Sequence, residues 1–149
     1  DIDVEIIADG THLPEPFLKL ITKVKAKNQI ILITDAMRAA GTDVTESILG
    51  SKENGLAVVV EDGVAKLPDR KSFAGSVATA DRLIRTMTKM AGLELKDAVH
   101  MLTVNPARIL GLQHQIGTIS KGLQADLILF DENIQVQKTM IAGRFVYEK

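Results

Sequence analysis

Asp9-Gly10-Thr11-His12 and Thr34-Asp35-Ala36 are two places where this sequence sets acid–base groups directly after an apolar run. A carboxylate in such a position can take up and return a proton, and an imidazole can hold or polarise a ligand. Each group also has an ordinary explanation. Asp35 could be a turn or helix-cap aspartate and His12 a turn residue, and the residues alone leave both readings open. A third segment, Lys71-Ser72-Phe73-Ala74-Gly75-Ser76, reads as a loop feeding a helix. Ala74 and Gly75 could touch a ligand through their backbone, or Gly75-Ser76 could be only a tight helix entry with Ser76 as N-cap. The remaining histidines, His100 and His114, show no HxH or HxxxH pairing, so they do not read as metal ligands.

The elements around these loops decide whether they can meet. Val4-Glu5-Ile6-Ile7-Ala8 and Ile30-Ile31-Leu32-Ile33 are short, β-branched apolar runs without alternation, as expected of parallel strands covered on both faces. Between them Pro14 and Pro16 suit the first turn of a helix, and Phe17, Leu20, Ile21 and Val24 predict its apolar stripe. Lys19, Lys23 and Lys27 fall on another face and read as solvated. Strand, helix and strand make a βαβ unit, which places Asp9–His12 and Thr34–Ala36 at the same carboxyl end of the sheet.

Further along, residues 56–67 read as an antiparallel hairpin turning at Asp62-Gly63. A helix of about fifteen residues follows, with Leu83, Ile84, Met87 and Met90 as its buried stripe and Gly92 as its stop. A second helix starts near Lys96 and carries Ala98, Val99 and Leu102, and Asn105-Pro106 predicts a short third helix with Asn105 as N-cap. After Gly117 the pattern is β again, and the strands at 56–67 and 125–147 are expected to share one antiparallel sheet.

Composition narrows the function. The 149 residues carry 18 Lys+Arg against 19 Asp+Glu, a net charge of −1, which gives no electrostatic case for nucleic acid or an anionic membrane. Four Phe, one Tyr and no Trp offer no aromatic platform for stacking bases. Without cysteine there is neither a disulfide nor a thiolate-metal site. Charges interrupt every apolar run before the roughly 18 residues that a membrane span needs. The chain opens at Asp1 with no basic or apolar leader, as expected of a sequence that starts inside a fold.

Taken together, Ala8-Asp9-Gly10-Thr11-His12, Ile33-Thr34-Asp35-Ala36 and Phe73-Ala74-Gly75-Ser76 resemble, in this order, the N-acetylglucosamine-6-phosphate deacetylases of the amidohydrolase superfamily. So do Asn105-Pro106-Ala107-Arg108-Ile109-Leu110-Gly111 and the run from Gly117 to Leu127, although these later blocks are shared across many amidohydrolases. The resemblance covers essentially the whole chain and only the carboxyl-terminal portion of such an enzyme.

The resemblance implies an α/β fold comprising the C-terminal part of a TIM (β/α)8 barrel with strands of an appended antiparallel β-sandwich. Residues 1–50 would be the last two βα units, 51–72 a hairpin of the sandwich, 73–114 barrel-side helices and 115–149 the closing sandwich strands. It implies Asp35 as the catalytic acid–base. It implies contact of His12 with the sugar, a loop shaped by Asp9, Gly10 and Thr11, and a pocket wall from Phe73, Ala74 and Gly75. The divalent metal, zinc or iron, would be held by residues upstream of residue 1, as would the basic group that grips the phosphate. Arg108 is read as a packing or locally paired residue rather than a phosphate ligand. The partner would be a small amino-sugar phosphate, with no nucleic acid or membrane, in a cytoplasmic homodimer when full length. The alternatives are a dihydroorotase- or deaminase-like amidohydrolase, or a non-enzymatic truncated folding or interaction module. Two barrel strands by themselves would leave open edges that favour association.

Overall fold

The computed structural model describes residues 2–149; Asp1, where the sequence reading places a start inside a fold, lies outside them. Strand β1 (Val4–Ile6) and strand β2 (Ile30–Leu32) pair in parallel with Val4 opposite Ile30, and Ile33 N–H extends the ladder to Ile6 O at 3.0 Å. Helix α1 (Glu15–Val24) joins them, with Pro16 in its first turn, where the missing N–H has no intrahelical partner to lose. Its buried side differs from the expected stripe. Leu18 is fully buried and Ile21 partly so, whereas Phe17, Leu20 and Val24 face outward. Periodicity located the helix, but which side is covered depends on what packs there. Lys19, Lys23 and Lys27 are exposed, as read.

Three helices cover the parallel pair. Helix α2 (Ala80–Lys89) is ten residues long and begins after Thr79, not at Ser76. The Ser76 hydroxyl instead accepts from Ala78 N–H at 2.9 Å, a local turn that holds the chain out of the helix for three more residues. Helix α3 (Leu95–Leu102) buries Ala98 and Met101, and helix α4 (Val104–Ile109) follows after Thr103. Asn105 therefore sits inside α4 rather than capping it. Its buried amide donates to Lys27 O at 2.9 Å and Ile30 O at 2.7 Å, tying α4 to the start of β2. Arg108 pairs with Asp3 and Asn28 O, 105 and 80 positions away, so its partners are long-range rather than the local ones expected. The main core gathers Ile6, Leu18, Ile30, Leu83, Met87 and Met101. Burying each such side chain contributes about 1.5–3 kcal/mol.

The antiparallel strands form two sheets, not one. Strands β3 (Glu46–Leu49), β4 (Leu56–Glu61) and β5 (Val64–Lys66) make the first. The β4–β5 turn has positive φ at both Asp62 (53°) and Gly63 (71°), the geometry that an Asp-Gly pair favours. Strands β6 (Leu127–Phe130), β7 (Val136–Ile141) and β8 (Arg144–Glu148) make the second. A small second core of Met37, Ala39, Val58, Ala65 and Ala74 lies under the first sheet. The second sheet leaves Ile128, Leu129, Phe145 and Val146 exposed. Among the described residues, no helix is long and apolar enough to cross a membrane.

Candidate active site

Asp9 ends the run that follows β1, and its side chain is completely buried, with 0% exposure. A buried carboxylate needs donors. One Asp9 oxygen accepts from the backbone N–H of Thr11 and of His12, each at 2.9 Å, and the other faces His12 Nδ1 at 2.9 Å. Burial alone would raise the Asp9 pKa. The two backbone N–H groups and the His12 ring outweigh it and hold the pKa below the ordinary 3.8, so the group is a carboxylate at neutral pH. With Asp9 ionised, His12 Nδ1 is the donor of that bond. This fixes the ring and leaves Nε2 free of it. Gly10 permits the tight turn. Its φ is +81°, and a Cβ there would stand 2.9 Å from the Met90 sulfur.

Asp35 directly follows the β2 run and is exposed. Its backbone is left-handed, with φ of 45°, a conformation that only short polar residues and glycine adopt readily. The segment after Gly75 holds it there. Ser76 N–H reaches Asp35 O at 3.4 Å and Met37 N–H donates to Ser76 O at 2.8 Å, making a short parallel bridge between Ala36 and Ser76.

The Phe73 loop connects the two. Phe73 bridges antiparallel to Lys66, and Ala74 N–H donates to Ala65 O at 2.9 Å, so this loop is an extra edge of the first antiparallel sheet. The Phe73 ring lies against His12, with centroids 5.0 Å apart and planes tilted by 53°. Gly75 packs where a Cβ would come within 3.2 Å of Leu49 and 3.3 Å of Met37. His12 thus touches Phe73, and three residues along the same loop Ser76 touches Asp35. Asp9, Thr11, His12 and Phe73 touch directly around the Gly10 turn, and Asp35, Ala74 and Gly75 are joined to them through the backbone of the 73–76 loop, at the carboxyl ends of β1 and β2.

Arg82 belongs to this cluster as well, although nothing in the sequence marked it. It sits in the first turn of α2, 73 positions from Asp9, and its guanidinium bonds to Asp9 O, Thr11 Oγ1 and Gly63 O. An arginine early in a helix carries no local signal of such reach.

Two other features stand apart. A cavity of about 750 Å³ runs between α2, α3, α4 and the β6–β7 strands, lined by Ile84, Val99, Leu102, Leu110 and Ile128. It includes none of the strand-end residues, so size alone misplaces the chemistry. His100 borders that cavity, and His114 lies in an exposed turn beside Gln113. Among the described residues no three His, Asp or Glu side chains come together as a metal site, and the Asp9 carboxylate is already taken up by three donors. These residues do not by themselves form a site for the expected divalent metal.

The amidohydrolase family matches residues 1–146. The chain belongs to this family. Amidohydrolase relatives carry deacetylase names. The N-acetylglucosamine-6-phosphate deacetylase of Lysinibacillus sphaericus is 36% identical over 96% of this chain and 35% of its own length. The putative N-acetylgalactosamine-6-phosphate deacetylase of Escherichia coli is 33% identical over 95% of this chain and 81% of its own length. The crystal structure of N-acetylglucosamine-6-phosphate deacetylase from Thermotoga maritima superposes with a TM-score of 0.86 at 35% identity, covering 100% of this chain and 39% of that one. The chain spans about a third of the length of the human and Lysinibacillus sphaericus relatives, at 34% and 35%.

Proposed function

We propose that the chain is the carboxyl-terminal portion of a metal-dependent hydrolase that converts N-acetylglucosamine 6-phosphate to glucosamine 6-phosphate and acetate. In this reading β1 and β2 are the last two strands of a (β/α)8 barrel, and the antiparallel strands contribute to an appended β-sandwich. The observation that carries it is the cluster linking His12, Phe73, Ser76 and Asp35 at one end of a parallel strand pair. The names of relatives that match nearly the whole chain support it.

Amide hydrolysis needs a water oxygen added to the acetyl carbon, the C–N bond broken and a proton delivered to the departing nitrogen. Asp35 would take the proton from the water and pass it to that nitrogen, with Ser76 fixing the backbone beneath it. His12, clamped through Nδ1, would offer Nε2 to the substrate, with the Phe73 ring as its wall. The zinc or iron ion would be held by residues outside this chain, as would the phosphate. The complete enzyme would be a cytoplasmic homodimer. The Escherichia coli relative favours a second reading, in which the sugar is the galactosamine epimer.

A chimera tests this directly. Residues 1–149 replace the matched part of the Thermotoga maritima enzyme, and acetate release is measured with each sugar phosphate. The expected result is turnover of N-acetylglucosamine 6-phosphate by the chimera and none by the 149-residue chain alone with added zinc or ferrous iron. A folded chimera that is inert on both sugars would refute the proposal, and comparable turnover by the chain alone would refute the incomplete-site reading.

A further inference from the structure

Arg82 makes more bonds to the candidate site than packing of α2 requires. Its Nε and Nη2 both donate to Asp9 O, at 3.2 and 2.9 Å, and Nη2 also reaches Thr11 Oγ1 at 3.3 Å. Nη1 donates to Gly63 O in the β4–β5 turn at 2.6 Å. The side chain is 26% exposed, and Nη2 stands 4.0 Å from the buried Asp9 carboxylate. One planar fork therefore joins the β1–α1 loop, the hairpin turn and the first turn of α2. A lysine could carry the charge but not the fork, because an ammonium has no fixed directions to match several acceptors at once.

The fork acts on the peptide that orients Asp9. Holding Asp9 O on one side of the chain, just before the left-handed Gly10, leaves the Asp9 side chain pointing at Thr11 N–H, His12 N–H and His12 Nδ1. If that peptide rotated, the carboxylate would leave His12, and the ring would lose both its direction and its fixed tautomer. We propose that Arg82 is a positioning residue for His12, acting through the Asp9 backbone to set which imidazole nitrogen is free for substrate. The consequence for turnover rests on the deacetylase reading above; the consequence for the His12 ring does not.

The test has two arms. In the 149-residue chain, long-range proton–nitrogen NMR of the His12 ring is compared between wild type and Arg82→Lys. The expected wild-type spectrum shows one tautomer with the proton on Nδ1, and the variant shows exchange between both. In the chimera, Arg82→Lys is expected to lower kcat/KM by roughly tenfold to a hundredfold, as a misplaced contact does. Adding it to His12→Ala should cause no further loss, because both act through one contact.

Unchanged His12 nitrogen shifts in a folded Arg82→Lys chain would overturn the proposal, whatever the chimera does. Losses that multiply in the double variant would overturn it too, by making Arg82 a substrate contact or a general support. An inert chimera would strike the deacetylase reading and leave the spectroscopic arm to decide. If Arg82→Lys does not fold, Arg82→Gln is measured in the same way. Failure of both to fold would make Arg82 a structural clamp and end the positioning role.

Discussion

Asparagine in place of Asp35 is expected to lower kcat of the chimera by ~10²–10⁴-fold, the usual range for a positioned acid–base, with KM nearly unchanged. The substitution is clean for a reason specific to this site. Asp35 sits at φ of 45°, and asparagine, like aspartate, tolerates that left-handed conformation. The shape, the backbone bonds to Ser76 and the bridge at Ala36 therefore survive, and only the ability to carry a proton is lost. Alanine would be a poorer probe, because strain of about 1–2 kcal/mol would be added to the chemical defect. Steady-state kinetics on the purified variants, with thermal melts confirming equal folding, separates the two. Full activity in Asp35→Asn would remove Asp35 from the mechanism.

The second large effect is on stability. Asp9→Ala leaves two backbone N–H groups and His12 Nδ1 without their acceptor in a buried pocket, which should cost roughly 2–4 kcal/mol. Its pH dependence follows from the direction of the Asp9 shift. The folded state holds Asp9 below 3.8, so its contribution is fully present above that value and is lost as the pH falls through the folded-state pKa. The stability gap between wild type and Asp9→Ala should therefore be widest at neutral pH and shrink as the pH drops below 3.8. Urea denaturation of both proteins across that range checks it. A gap that stays constant into acid would mean that the carboxylate's charge contributes nothing.

What could be read from the residues was local. The Asp62-Gly63 turn, the paired apolar strands and the loops that follow them each depend on neighbours a few positions away. Because parallel strands share one polarity, two strand-end motifs had to emerge on the same side. The features that were missed depend on distant partners. Strand β3 is a short Glu-Ser-Ile-Leu run that becomes a strand only by pairing with β4. Phe17, Leu20 and Val24 look like a core stripe and are not, because no described element covers that side of α1. Asn105 looks like a cap but reaches across to Lys27 and Ile30. Arg82 meets Asp9 only once α2 has packed beside the strand ends. Separation into two sheets was likewise invisible, since each hairpin carries its own pattern and neither encodes its distance from the other.

Amide hydrogen exchange of residues 1–149 within the Asp35→Asn chimera, with and without millimolar N-acetylglucosamine 6-phosphate, measures the central assignment most directly. Slower exchange in peptides spanning 9–12, 34–36 and 73–76, with the rest of the chain unchanged, is the predicted footprint. Protection confined to the apolar cavity around Val99, Leu110 and Ile128, or none anywhere, would mean that the strand-end loops do not form a sugar site.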